Sequence, residues 1–268
     1  MTAVFARHAL APAPQPSPAA LQGLRAARAQ AIGRAATLAL HDELALAPKP
    51  GLVSFADSGS HDDMDAHTFM RSLFALRRYF PQIAALGMAL APFAALERCG
   101  QQAEARMLRA TGGINTHRGA IFMLGLLCAA AGAASRHGWP LDAVHLQRAL
   151  TTHWGDALAA RAQRAPTLPG GIAARRLGLD TQHVRLHTLL TIMATLDDSN
   201  LAHRGGAEGL AYARGAVQAF MAAGGAAAPG ALARAQALHQ AFVARRLSPG
   251  GSADTLAAAC WLHRVQAL

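Results

Sequence analysis

The sequence predicts an all-α fold, a single multi-helix domain whose glycine- and carboxylate-rich loops form one cleft. Alanine and leucine dominate a chain that is 52% hydrophobic and 5% aromatic. This composition favours close-packed helices over sheets, which depend on β-branched and aromatic side chains. Apolar residues recur at helical spacing along most of the 268 residues, and no internal repeat or long linker divides them. We therefore expect one helical domain over residues 21–268, preceded by a flexible lead-in at residues 1–20.

The first predicted helix is Leu21–Leu46. Ser17 is a suitable N-cap before Pro18, because its hydroxyl accepts a free amide and proline suits the first helical turn. Pro48 and Pro50 are expected to end this helix, since each lacks an amide donor and constrains the residue before it.

An amphipathic helix is predicted next, because Phe69, Leu73, Leu76 and Phe80 recur at helical spacing. We expect it to end at Pro81. A loop is predicted at 165–179, where prolines and glycines cluster. The later helices are predicted from Pro140 to about Gln163 and around 206–222, 230–247 and 252–268. Between them, Leu186, Leu189, Leu190 and Met193 mark a helix that ends near Asp197.

A strongly apolar, uncharged run lies between Arg118 and Arg136 and has 17 residues, three of them glycine. Because a bilayer span needs about 20 mostly apolar residues, a buried core helix is the better interpretation. The first twenty residues contain four prolines and no apolar stretch typical of a secretory signal. Cys99, Cys128 and Cys260 stand in no metal or redox spacing, as in a reduced cytosol. We expect a cytoplasmic protein with no membrane partner.

The net charge of +10 predicts an affinity for anions. The arginines are spread along the chain without a basic run, so small polyphosphates fit this charge and no nucleic-acid partner is expected. Of 25 basic residues only Lys49 is a lysine. Its compact ammonium offers a point charge that arginine cannot imitate, and Gly51 leaves room for a ligand to approach. The alternative is a surface lysine in a rigid turn.

Four polar segments stand out as loops of functional composition. The first is Glu43–Asp65; counted from Asp42, six of the 15 acids fall within 24 residues, which in a basic protein suggests carboxylates that hold Mg²⁺ on a phosphate. A solvated acidic loop is the alternative. Thr111–Gly119 places glycines and Arg118 before the apolar helix, where free amides and a guanidinium suit an anion. Helix-capping glycines are the alternative.

The other two segments are Asp197–Gly206 and Leu247–Asp254. The first begins with two carboxylates at a predicted helix end, where the dipole disfavours them. Either a second metal-binding or catalytic cluster or a salt bridge to an arginine would stabilise them. The second is a glycine loop in which Ser252 is the predicted N-cap of the last helix and Asp254 faces the dipole. A plain turn also explains this loop.

Together the four segments resemble the triphosphoribosyl-dephospho-CoA synthase family. Its Pro-Lys-Pro-Gly-Leu-Val, Gly-Ser-His-x-Asp-Met and Thr-Gly-Gly-(Val/Ile)-Asn-Thr-His-(Lys/Arg)-Gly stretches match Pro48–Val53, Gly59–Met64 and Thr111–Gly119. Its Asp-(Thr/Ser)-Asn, Arg-Gly-Gly and Ser-Pro-Gly-Gly-Ser-Ala-Asp stretches match Asp198–Asn200, Arg204–Gly206 and Ser248–Asp254. Four matches in the same order over residues 40–260 make coincidence a poor explanation.

Two details refine the resemblance. Leu40–Leu46 and Thr68–Leu76 are similar to the malonate decarboxylase branch of the family rather than the citrate lyase branch. A family segment of the form Gly-Ala-Arg-x-Glu-Ala…Gly-Phe-Pro is absent where Arg175–Leu179 leads directly to Asp180. The printed chain either omits that loop or has lost it. In the second case an arginine and a glutamate of the family pattern are missing.

The resemblance implies a transferase that displaces adenine from C1′ of ATP by the 2′-hydroxyl of 3′-dephospho-CoA. The product is the precursor of the prosthetic group of an acyl carrier protein, and would pass to a phosphoribosyl-dephospho-CoA transferase acting on that carrier. Such a reaction passes through an oxocarbenium-like ribose and needs a general base, a general acid and neutralised phosphates. A homodimer is possible.

The matched segments supply three groups of expected site residues. The catalytic candidates are His61, His117, His203 and Asp197. The substrate-binding candidates are Lys49, Gly51, Ser60, Gly112, Gly113, Asn115, Thr116, Arg118, Asn200, Arg204, Gly205 and Gly206. The candidate Mg²⁺ ligands are Asp62, Asp63 and Asp198.

Two other functions stay open at this point. A metal-dependent N-ribosyl hydrolase would use the same carboxylates with water as the acceptor, and would release adenine from ATP without dephospho-CoA. A non-catalytic nucleotide-binding protein would bind ATP tightly and release no adenine with any acceptor.

Overall fold

A computed structural model describes residues 17–161 and 180–268, and these residues form helices and no β-strand. The prediction of an all-α fold is confirmed. Before the gap the helices are α1 Pro18–Ala45, α2 Ala66–Leu76, α3 Tyr79–Met88, α4 Phe93–Thr111, α5 Arg118–Arg136 and α6 Ala143–Arg161. After it come α7 Thr181–Thr195, α8 Ser199–Ala222, a 3₁₀ turn Gly225–Ala227, α9 Ala231–Ala244 and α10 Gly250–Val265.

Helix α1 begins as its sequence predicts. The Ser17 hydroxyl accepts the Ala20 amide at 3.2 Å, and Pro18 occupies the first turn. Residues 17–20 therefore belong to the cap and first turn of α1, not to the predicted lead-in. Residues 1–16 and the predicted loop at 165–179 lie outside the described residues.

The expected end of a helix at Pro81 is wrong. The chain breaks at Arg77 and Arg78 instead, and Pro81 lies in the first turn of α3. A proline is tolerated there because the amides of the first turn have no acceptor within the helix. The single predicted helix is thus two helices, α2 and α3.

Helix α5 is the central helix of the fold, packed against α1, α3, α4, α6 and α10. In the described part of the chain it is the one helix long and apolar enough to cross a membrane, and its most apolar stretch is 61% buried. Two glycines let α3 and α5 approach closely. A Cβ at Gly132 would collide with the Ala84 carbonyl oxygen, and one at Gly87 would collide with that of Ala129.

Two clusters of buried apolar side chains form the core. One gathers α1–α6, and the other gathers α7–α9 with Leu46 and Leu52. Helix α10 contributes to both, with Trp261 in the first cluster and Leu256 in the second. Because α10 follows directly on the Leu247–Asp254 segment, the position of that loop is tied to both clusters.

Helices α8 and α10 also begin earlier than predicted. Helix α8 starts at Ser199 rather than near 206, and Gly206 forms a kink inside it with φ 60° and ψ −161°. Helix α10 starts at Gly250, so Ser252 lies inside the helix and is not its N-cap. In both helices the Asp198 side chain accepts backbone amides of the first turn.

The close approach of α3 and α5 can be tested by adding one methyl group. Gly132→Ala would push the two helices apart, so we expect a loss of about 1–3 kcal/mol in the free energy of unfolding, measured by urea denaturation. Gly23→Ala is the matched control, because Gly23 is exposed on α1 with no atom within 4 Å of an added Cβ. The control should gain about 0.5–1 kcal/mol. Equal stabilisation by both changes would contradict this packing.

Candidate active site

The four polar segments meet in the folded chain, as predicted, and we call their meeting point the loop junction. Ser60 of the first segment donates to the Leu247 carbonyl of the fourth at 2.6 Å. Asp198 of the third segment accepts from Ser252 of the fourth. A Cβ at Gly119 of the second segment would collide with the Asp254 carboxylate, so those two segments touch as well.

Asp198 holds the loop junction together. Its side chain is buried, with 1% exposure for the residue. One carboxylate oxygen accepts the Asn200 and Leu201 amides at 2.9 and 3.4 Å, and the other accepts the Ser252 amide and hydroxyl at 2.8 and 2.9 Å. Asp198 therefore caps α8 and α10 together, facing the positive ends of two helix dipoles. It does not lie against the unfavourable end of the preceding helix, as its sequence position had suggested.

The first segment is locked onto the fourth through Gly51 and Ser60. Gly51 has φ 68°, and a Cβ there would collide with the Leu247 carbonyl oxygen. The Gly51 carbonyl accepts the Ser60 amide at 3.1 Å. The room beside Gly51, expected to admit a ligand, is thus filled by the backbone at Leu247.

His61 and Arg204 form a second bridge across the loop junction. The Arg204 guanidinium donates to His61 Nδ1 at 3.1 Å and to the Ser60 carbonyl at 3.2 Å. Since a guanidinium only donates, Nδ1 is an acceptor and His61 Nε2 carries the proton toward the Ser248 hydroxyl, 2.9 Å away. Burial and then Arg204 lower the pKa of His61, against the opposing effect of Asp63. This imidazole is neutral.

The single lysine is buried, with 1% exposure, so it is not a surface lysine in a turn. Its Nζ lies 2.5 Å from a Glu43 carboxylate oxygen and 2.9 Å from the Glu43 carbonyl. Burial lowers the pKa of Lys49, while Glu43 and Asp57 partly restore it. His239 donates to the Lys49 carbonyl and faces Asp57, which fixes the loop. Glu43 already balances the positive charge of Lys49.

His117 lies at the start of α5 and is 3% exposed. Its Nδ1 is 2.6 Å from the Ser72 hydroxyl, and its ring meets the edge of Phe69 at 5.0 Å between centroids. Burial, followed by the charge of Lys49, lowers the pKa of His117 to about 3. Neither His117 Nε2 nor the neighbouring Thr116 hydroxyl has a described hydrogen-bond partner, although both are buried.

Several residues of the second segment face solvent, namely Gly112, Gly113, Asn115 and Arg118. Gly112 ends α4 in a left-handed conformation with φ 71°, which matches the capping alternative. Gly113 has φ 91°, and an added Cβ at either glycine would meet open space. Asn115 accepts the Arg118 amide at 3.1 Å, and the Arg118 guanidinium pairs with Glu104 at 2.6 Å. These residues form the exposed rim of the loop junction.

The structure adds a carboxylate that the sequence had assigned only to the helix dipole. Asp254 is partly exposed, and its side chain accepts the Ala120 amide at the start of α5. Burial and the nearby Glu43 and Asp198 raise the pKa of Asp254 well above its usual value. The only sequence signal for Asp254 is its place at the end of the fourth matched segment.

The three proposed metal ligands do not come together. Asp62 is exposed and faces Arg246 at 3.3 Å, and Asp63 is exposed beside His61. Both Asp198 oxygens already accept hydrogen bonds. Across the ranges that the structure describes, no group of three or more histidine, cysteine, aspartate or glutamate side chains could hold a metal ion. A preformed Mg²⁺ site on these aspartates does not fit this geometry.

Of the remaining candidates of the third segment, two face solvent and two contact the fourth segment. His203 is exposed. Asp197 is exposed and pairs with Arg214 at 2.5 Å, which is the salt bridge considered as the alternative. Asn200 packs against Gly250, and Gly205 lies under the Leu247 side chain, where a Cβ would clash.

Comparison with known proteins gives one consistent family. The model of the ATP:dephospho-CoA triphosphoribosyl transferase family matches residues 29–167 and 153–268. The chain is 36% identical to a Salmonella gallinarum protein over 85% of this chain and 89% of that protein. It is 37% identical to a Stutzerimonas stutzeri protein over 88% and 92%. Both are named "Probable 2-(5''-triphosphoribosyl)-3'-dephosphocoenzyme-A synthase". No solved structure matches.

The double capping by Asp198 predicts that a neutral isostere will not replace it. In Asp198→Asn one carboxylate oxygen is replaced by an amide nitrogen, which cannot accept a hydrogen bond. One pair of buried donors therefore loses its acceptor. We expect a loss of about 3 kcal/mol in the free energy of unfolding, measured by urea denaturation. Asp197→Asn, its exposed neighbour, should cost less than about 1 kcal/mol. Similar small losses in both variants would show that the capping contributes little.

Asp254 predicts a pH dependence of stability. Because its folded-state pKa is raised, the unfolded chain loses this proton first as the pH rises, and folding stability falls through the folded-state pKa. Asp254→Asn removes this titration while keeping an acceptor for the Ala120 amide. We expect the variant to be more stable than the wild type at neutral pH, and the difference to vanish in acid. Asp156→Asn, at an exposed site on α6, should show neither effect. A variant less stable at every pH would overturn this prediction.

Proposed function

This chain belongs to the ATP:dephospho-CoA triphosphoribosyl transferase family, and we propose that it joins the triphosphoribosyl group of ATP to the 2′-hydroxyl of 3′-dephospho-CoA at the loop junction, with release of adenine. The observation that carries this assignment of the site is the meeting of all four motif segments around Asp198 and Asp254. Residues that lie far apart in sequence share one place, as a common active site requires.

Asp254 is our choice for the general base. Of the three neighbouring carboxylates, Glu43 is bound to Lys49 and Asp198 caps two helices, whereas Asp254 keeps one described donor and some exposure. A raised pKa brings a carboxylate nearer the operating pH, where it is a stronger base. Asp254 would take the proton of the attacking hydroxyl while the C1′–O bond forms and the C1′–N bond to adenine breaks, and the departing adenine would take up a proton from water.

The triphosphate is proposed to lie along the rim of the second and third segments. Gly112 and Gly113 have open space around them, and Arg118 and Arg204 are exposed cations at the same junction. Arg118 would exchange Glu104 for a phosphate, which its planar fork suits. We propose that Mg²⁺ enters with ATP as part of the substrate, because the aspartates do not form a site for it.

The biological setting extends the same proposal. The similarity of Leu40–Leu46 and Thr68–Leu76 to the malonate decarboxylase branch supports a role in making the prosthetic-group precursor for that enzyme's acyl carrier protein. The product would pass to a phosphoribosyl-dephospho-CoA transferase. The cysteines at 99, 128 and 260 are free, which supports a cytoplasmic location.

The test is mass spectrometry of purified protein incubated with ATP, Mg²⁺ and dephospho-CoA. We expect adenine and the triphosphoribosylated product to appear in equal amounts, and neither to form without dephospho-CoA. Adenine release without the acceptor would instead indicate an N-ribosyl hydrolase. ATP binding with no adenine release would indicate a nucleotide-binding protein.

Asp254→Asn sharpens the assay. Loss of the general base should lower the turnover rate by about a hundredfold or more, even though the variant is expected to be more stable than the wild type. Asp156→Asn is the matched control on an exposed helix face. Wild-type turnover in Asp254→Asn would remove Asp254 from the chemistry.

A further inference from the structure

We propose that His117 works as a neutral hydrogen-bond donor to the bound substrate through Nε2, and that Ser72 is the positioning residue that fixes this tautomer. The inference rests on the proposed function, because it assigns a role inside the same site. It gives a definite alternative to proton transfer by His117, which is one of the three histidines among the catalytic candidates predicted from the sequence.

The tautomer of His117 follows from comparing how many buried polar groups each tautomer leaves without a hydrogen bond. Ser72 is 0% exposed, and its one described hydrogen bond joins its hydroxyl to His117 Nδ1. If Nδ1 carried the proton, the serine hydroxyl would have no described acceptor and Nε2 would be a bare acceptor, so two polar groups would be unmet. If the hydroxyl donates to Nδ1, only the Nε2 proton is unmet. Because each unmet buried polar group costs about 1–3 kcal/mol, the second arrangement is favoured.

A second proton on His117 is excluded by its surroundings. The ring is buried against Phe69, and the charged group whose field reaches it is the Lys49 ammonium, which repels another positive charge. The imidazole therefore stays neutral under ordinary conditions. A neutral ring whose Nδ1 already accepts from Ser72 cannot deliver a proton and recover it, but it can hold an acceptor in place.

The unmet donor identifies what the ligand must offer. His117 Nε2 and the Thr116 hydroxyl are adjacent in sequence, buried and without described partners. Both can donate, so the matching ligand group is an oxygen acceptor. In ATP the oxygens available are those of the triphosphate and of the ribose. Binding would then satisfy polar groups that are unmet in the free protein.

The tautomer can be measured directly by ¹⁵N NMR of histidine-labelled protein. We expect His117 to show a protonated Nε2 and an unprotonated Nδ1 across the neutral pH range. In Ser72→Ala the signal should change to a mixture of the two tautomers. A protonated Nδ1 in the wild type would overturn the proposal. This measurement needs no catalysis, so it stays informative even if the enzyme assay shows a different reaction.

Three substitutions at one position separate donation from proton transfer. Gln places an N–H close to Nε2, Asn places one close to Nδ1, and Ala has neither. We expect His117→Gln to keep at least about a tenth of the wild-type activity, and His117→Asn and His117→Ala to lose about a hundredfold. His67→Gln, at an exposed site on α2, is the matched control and should be fully active. Equal losses in His117→Gln and His117→Ala would sink the proposal.

The ligand oxygen is distinguished by titrating the labelled protein with inorganic triphosphate, with adenosine and with ATP. A shift of the His117 Nε2 signal with triphosphate assigns the contact to a phosphate oxygen, and a shift with adenosine assigns it to the ribose. No shift with any of the three, in protein that releases adenine from ATP, would refute a substrate contact.

Discussion

The buried carboxylate of Asp198 is the interaction on which the candidate site depends. It accepts hydrogen bonds from the first turns of two helices, α8 and α10. Its donor in α10, Ser252, lies 54 residues after Asp198 in the sequence. A carboxylate at one helix N-terminus is favourable, and here the same charge serves two. With α8 and α10 fixed against each other, the loop before α10 can accept Ser60 and bring Asp254 to the start of α5. The order of the motifs in sequence becomes a single site through this one side chain.

Negative charges lie inside the candidate site and positive charges lie at its exposed edge, an arrangement that suits the proposed reaction. The chain carries a net charge of +10, yet three carboxylates, Glu43, Asp198 and Asp254, lie near one another inside it, and the single lysine is bound to one of them, Glu43. The cations Arg118 and Arg204 lie exposed at the edge. A substrate with an anionic tail and a ribose that becomes positive in the transition state would meet charges of the right sign at both ends.

Features that depend on neighbouring residues were predictable from the sequence. The Ser17 cap, the helical character of the chain and the gathering of the four polar loops all follow from local patterns or from composition. Partnerships between distant residues were not predictable. Nothing in the sequence indicates that Ser72 faces His117, and Asp198 was placed at the wrong helix end because its donors include Ser252. The helix end predicted at Pro81 was wrong because a proline can stop one helix or lie in the first turn of another.

The burial of the only lysine has a practical chemical consequence. Amine-directed acylating reagents and cross-linkers normally modify many exposed lysines, but here the one side-chain amine is 1% exposed and bound to Glu43. Its modification requires the first polar segment to lift away from α1. The rate at which such a reagent acylates Lys49 therefore reports how often this part of the molecule opens, with no engineered label and no competing side-chain amines.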